Sequence, residues 1–292
     1  MGWLHLIAIG AAGIASMKTA MEAGDLERAA HQGVLAGPLV VEQALTSPDR
    51  ATRMAGIAAA TATDDRIELL EPLAAEAAGP DRRTAVPAAT AGRTIAREVA
   101  RDVSQGDLPD DIAPEDILRW RDRWGEIAVD RTRWIEVRVV ALDVAAALDA
   151  SVHASSAGAT APTSGRMTTG GIGIDLAAAL ADPDPAFRRA ALALAPIPLP
   201  AALRAPLAST VVKDIDPLVA LGAAQALCAD LVADTPAPIL AALGAPGLIR
   251  LRTIIRTAGV SRGVVRDAAR CLAADPDPAS AAALRTMGAR LR

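Results

Sequence analysis

The segment whose residue types could do chemistry is Arg119-Trp120-Arg121-Asp122-Arg123-Trp124, continuing to Arg131-Thr132-Arg133-Trp134, which gathers three of the four tryptophans with five arginines. Indole faces beside guanidinium groups can stack on bases or anchor a protein partner, where Trp and Arg are favoured hot-spot residues. Arg119, Trp120, Arg123, Trp124, Arg131, Arg133 and Trp134 are therefore the candidate binding residues. The competing reading is structural. Trp120 and Trp124 would pack into a core beside Ile117 and Ile127, and the arginines would pair with Asp122, Glu126 and Asp130.

Other spacings have the form of catalytic motifs without their context. Gly259-Val260-Ser261-Arg262-Gly263 has the pattern of a hydrolase nucleophile elbow, but no strand precedes it and the last histidine of the chain is His153. Ser261 is read instead as a helix cap. Gly171-Ile172-Gly173 starts like a dinucleotide loop, yet Leu176 stands at the third glycine position. His5, His31 and His153 are far apart, and no His or Cys pair has metal-ligand spacing. The pairs Asp64 and Asp65, Asp110 and Asp111, and Asp182 and Asp184 read as turn and cap residues. The expectation is no cofactor and no catalytic set.

The elements that must position these residues are helical. The apolar fraction is 52% with only 2% aromatics, no Tyr and one Phe, so the core is built from Ala, Leu, Val and Ile. Alanine has the best helix propensity, and its small side chain lets helix axes approach closely. β-branched and aromatic alternation is scarce. A net charge of −4 argues against a general nucleic-acid binder. Cys228 and Cys271 sit inside apolar helical patterns, each without a second Cys or His nearby, and read as buried reduced thiols in a reducing cytoplasm. Residues 1–17 carry no charged side chain. They read as a first helix capping the array, with membrane association through this segment as the second choice.

A short phrase recurs along the chain: Ser47-Pro48-Asp49 with Arg53, Gly79-Pro80-Asp81 with Arg82 and Arg83, Asp182-Pro183-Asp184-Pro185 with Arg188, Asp214-Ile215-Asp216-Pro217, and Asp275-Pro276-Asp277-Pro278. Asp49 to Asp81 and Asp184 to Asp216 are both 32 residues apart. A fixed period of this size predicts stacked helical pairs that share one continuous core. Each aspartate can accept bonds from free amides at a helix start. Pro114-Glu115-Asp116 opens a helix with Ile117, Trp120, Trp124 and Ile127 on one face. A second runs from about 132 to 150 with two apolar faces, Trp134, Val137, Ala141, Val144 and Leu148 on the first, and so lies sandwiched. The Ser-, Thr- and Gly-rich stretch 151–173 reads as a flexible linker between sub-arrays 1–150 and 174–292.

These units resemble HEAT repeats, particularly the short bacterial type similar to those of phycobilisome lyases. The resemblance covers most of the chain. It is carried best by Leu180 to Leu194 and Val212 to Leu227, then Leu45 to Ala60 and Trp134 to Leu148. The spacing from Asp184 to Arg188, equal to that from Asp49 to Arg53, looks like the positions that tie neighbouring HEAT units, whereas Asp216 is followed by Ala220 there. The resemblance implies an all-α, curved α-solenoid of about six helical pairs whose second helices line a binding face. It implies no particular activity. The expected function is a non-catalytic scaffold or adaptor for a protein partner. The alternatives are a HEAT-like DNA-alkylation-repair glycosylase, for which only residues 119–134 speak, and a membrane-tethered adaptor.

Overall fold

The computed structural model describes residues 2–63, 66–105, 112–156, 176–195, 199–229, 231, 236–257 and 262–290. Among these the regular structure is helical throughout, so the chain is all-α. It separates into two compact units, whose described parts are 2–156 and 176–290.

The first unit contains α1 (Gly2–Glu22), α2 (Leu26–Ala36), α3 (Pro38–Leu45), α4 (Arg50–Ala60), a 3-10 turn (Arg66–Leu69) leading into α5 (Leu70–Ala77), α6 (Arg82–Gln105), α7 (Pro114–Val129) and α8 (Ile135–Ser156). Each odd-numbered helix packs on the even one that follows. Among themselves, α2, α4, α6 and α8 pack in succession, as do α1, α3, α5 and α7. The second unit contains α9 (Leu176–Leu180), α10 (Pro185–Ala193), α11 (Ala201–Lys213), α12 (Pro217–Ala229), α13 (Ala237–Thr257), α14 (Arg262–Ala274) and α15 (Pro278–Arg290). Its helices follow the same rule, with α10, α12 and α14 in one row and α9, α11, α13 and α15 in the other.

The recurrent phrase builds one local structure in both units. In three copies the first aspartate accepts the backbone N–H two residues on: Asp182 from Asp184 at 2.9 Å, Asp214 from Asp216 at 2.9 Å and Asp275 from Asp277 at 3.2 Å. Ser47 does this for Asp49 with its hydroxyl, at 3.2 Å. The second aspartate then caps the next helix, Asp49 accepting from Thr52 N–H, Asp184 from Ala186, Asp216 from Leu218 and Asp277 from Ala279. Each cap satisfies an amide that the helix start leaves free. Asp64, Asp65, Asp110 and Asp111, read from sequence as caps, lie outside the described residues.

An arginine closes the turn. Arg53 donates through Nη1 to the carbonyls of Ser47 and Pro48, each at 2.9 Å, and through Nε to Glu76 at 3.0 Å. Arg188 repeats this on Asp182 and Pro183, at 2.7 and 3.0 Å, and grips Asp214 with two bonds of 2.8 Å. Arg252 reaches forward from α13 to Asp277 at 2.9 Å. Each of these guanidinium groups joins one turn or helix to a carboxylate further along the same unit.

Three expectations are corrected. Cys228 on α12 and Cys271 on α14 are fully buried as expected, but their sulfurs are bonded to each other and are not free thiols. The helix expected to end near residue 150 continues to Ser156, so 151–156 are helix and not linker, while 157–175 lie outside the described residues. The same helix begins at Ile135, three residues later than its expected start near Thr132. Among the described residues, Ala237–Arg256 has the length and apolar composition of a membrane span. Gly244 interrupts it with φ 57° and ψ −177°, which breaks α13 into two helical pieces. From Ala11 onward α1 is part of the first unit's packing: Met17 and Ala20 are buried and Ser16 donates to Gln32 at 2.9 Å.

Candidate functional site

The α7 face predicted from spacing forms the core of the first unit. Ile117, Trp120, Trp124 and Ile127 are all buried, with Trp124 at 0% exposure. Trp120 and Trp124 are therefore corrected from binding residues to core residues. The fit around Trp124 is close. A Cβ built on Gly92 of α6 would stand 2.5 Å from its Cζ2 and 2.7 Å from its Cη2, so only glycine leaves room for the indole there. Among the described residues, the Trp124 Nε1 has no hydrogen-bond partner.

The arginines of α7 divide between surface and core. Arg119 pairs with Asp116 at 2.9 Å, with its guanidinium carbon 6.0 Å from the Trp120 ring centre, and Arg123 pairs with Glu126 at 3.0 Å. Both line an open groove of about 490 Å³ with Glu71, Glu115, Leu118, Asp122 and Glu126. Carboxylates outnumber cations in that lining, so this groove is not basic. Arg121 lies further in, bridging Asp122 at 2.6 Å and Asp149 of α8 at 3.2 Å.

The turn before α8 holds the remaining candidates. Asp130 accepts the side-chain and backbone bonds of Thr132, which hold its carboxyl down at about 2, with Arg133 adding to the effect. Arg133 donates to Asp130 at 2.7 Å and to the Ala78 carbonyl, and so ties this turn to the end of α5. Arg131 is exposed. Trp134 is 45% exposed, and the Arg82 guanidinium carbon stands 5.7 Å from its ring centre, within cation–π reach. Arg82 in turn pairs with Glu136, whose carboxyl is lowered first by its own backbone N–H and then by Arg82. Beside them lies an open groove of about 500 Å³ lined by Asp81, Arg82, Arg83, Val86, Pro87 and Glu136.

Of the seven predicted residues, only Trp134 presents a large aromatic face at the surface, and the structure adds Arg82 and Glu136 to it. The Trp/Arg run pointed to neither, since Arg82 lies 52 positions before Trp134 and Glu136, two positions after it, is neither Trp nor Arg. Arg138 was also missed. It is 4% exposed and donates from Nε to the Ala128 carbonyl at 3.0 Å, holding α8 to the end of α7.

Among the described residues no group of three or more His, Cys, Asp or Glu could hold a metal. His31 is exposed on α2, while the side chains of His5 and His153, residues 259–261 of the elbow-like motif and 171–173 of the glycine motif lie outside the described residues. No protein-family model matches this chain, and no curated protein matches it either.

Proposed function

We propose that this chain is a non-catalytic scaffold, a HEAT-like α-solenoid that binds a protein partner through the surface around Trp134. The observation that carries the reading is the half-exposed indole of Trp134 under the Arg82 guanidinium, beside an open groove. Large aromatic side chains and arginines supply most of the binding energy where protein surfaces meet.

The packing order supports the solenoid part of the reading. Helices that touch the next and the next-but-one along the chain are what stacked pairs require. On this reading the first unit holds four consecutive pairs and the second three with α15 added, among the described residues, against the about six expected from the sequence period. The capped turns with their forward-reaching arginines are the ties between units. The expectation of a cytoplasmic location rested on free thiols, and the bond between Cys228 and Cys271 removes that support.

The test is affinity purification of the tagged protein with and without nuclease, comparing wild type with Trp134→Ala and Arg82→Ala. The expected result is one stoichiometric protein that survives nuclease and is lost in both variants. Nuclease-sensitive nucleic acid at the same surface would put the repair-enzyme reading first. A protein recovered only with membranes would favour the tethered adaptor. Retention of every bound component by both variants would overturn the surface assignment.

A further inference from the structure

We infer that the second unit is oxidised as it folds, in a compartment that supplies a disulfide donor, and that the Cys228–Cys271 bond is thereafter sealed and not switched. The chain has two cysteines in all, and the fold pairs them. They lie 43 residues apart on α12 and α14, neighbours in one row of helices, with Cα atoms 5.5 Å apart, inside the span that a disulfide bridges without moving the backbone. Between them in sequence runs α13, which packs on both partners. The bond therefore closes a loop around a complete helical element and fixes α14 to α12.

Burial decides when the bond can form. Both cysteines have 0% exposure, as have their neighbours Ala224, Leu227 and Ala268, with Leu272 at 1%. A thiolate must reach the donor's sulfur in line for exchange, and neither sulfur is accessible once α14 has docked. Oxidation thus precedes or accompanies closure of the helix row. In the balanced step, one cysteine thiolate attacks the disulfide of a dithiol–disulfide donor and expels one donor thiolate. The second cysteine then attacks the mixed disulfide and expels the other. The two chain thiols lose two electrons and two protons in total, and the donor leaves as its dithiol. Such donors maintain protein disulfides in the periplasm and outside the cell, whereas the cytosol keeps thiols reduced. The same burial separates this pair from redox sensors, which keep an accessible low-pKa thiol.

The test uses the full chain from the cells that make it, quenched in acid and alkylated with maleimide in denaturant before any reductant is added, then mapped by mass spectrometry. The expected result is a cross-linked 228–271 peptide with no maleimide on either cysteine. Maleimide on both cysteines would overturn the inference that the working protein is oxidised. The purified cross-linked protein is then treated with dithiothreitol in native buffer and in denaturant. Reduction is expected to be about 100-fold slower in native buffer, because it waits for local opening of the helix row. Equal rates would overturn the sealed bond and make the pair an accessible switch.

Discussion

The two units carry the same capped turn but are held together by different means. The first contains all four tryptophans, and Trp120 and Trp124 fill its centre against small residues such as Gly92. The second has no tryptophan, and its core is aliphatic apart from the buried Phe187, with a disulfide across α12 and α14. Their arginine ties differ in the same sense. Arg53 makes one bond to Glu76, a residue within helix α5, with 18% and 14% of the two side chains exposed. Arg188 makes two bonds to Asp214, itself the first aspartate of the next turn, with 14% and 8% exposed. The first unit thus centres on buried tryptophans, and the second adds a disulfide and a two-bond ion pair between successive turns to a core of smaller side chains. A shared local motif therefore does not impose a shared source of stability.

That contrast can be broken most strongly at Trp124. Trp124→Ala removes a fully buried indole and is expected to destabilise the first unit by about 3–5 kcal/mol, while leaving unfolding of the second unchanged. Denaturant unfolding followed by tryptophan fluorescence for the first unit, and by hydrogen exchange for the second, separates the two. Next comes the disulfide. Replacing both cysteines with alanine should cost the second unit about 2–4 kcal/mol, given a closed loop of 43 residues, with no shift in the tryptophan signal.

The arginine pair sharpens the comparison further. Arg188→Ala leaves the largely buried Asp214 carboxylate without its two-bond partner and is expected to cost about 2–3 kcal/mol. Arg53→Ala, at a more exposed single contact, should cost about 1 kcal/mol. Denaturation midpoints of the two variants, each read on its own unit, should keep that order, and the reverse order would remove the distinction between the ties.

The smallest effect concerns pH. The carboxyl of Asp49 is lowered to about 2, first by the side-chain bond from Thr52, then by the Thr52 backbone N–H, with Lys18 contributing less. Its folded pKa lies below the ordinary value of 3.8, so its contribution is complete above pH 4 and is lost as pH falls toward 2. Asp130, also lowered to about 2, gives the first unit a second loss in the same window. Asp49→Asn should flatten part of the acid side of the first unit's stability profile and leave the second unit's profile unchanged.

The fold was legible where chemistry is local. Pro-Asp turns, the aspartate caps and the α7 stripe follow from spacing within one turn or one helix. The site was less legible because its partners are remote. Trp134 was grouped with Val137, Ala141 and Val144 on a helical face, but α8 begins at Ile135, so helical periodicity does not yet apply to Trp134 and its ring turns outward. Arg82 comes to it from 52 positions earlier in the chain. The cysteine pair left no signal either, since two apolar helices containing one cysteine each look the same whether or not their sulfurs meet.

Gly244 bears on whether the chain's most apolar stretch could ever leave the protein for lipid. Its left-handed backbone divides Ala237–Thr257 into rods of about 10 and 20 Å at the usual rise per residue, both well short of a hydrocarbon layer about 30 Å thick. The bend lets that stretch wrap within the second unit as two core pieces, with Ile239 and Leu243 buried before it and Leu251, Ile254 and Ile255 after it. One residue's freedom to take a positive φ thus limits this sequence's straight reach, and with it the kind of solvent in which it can hide.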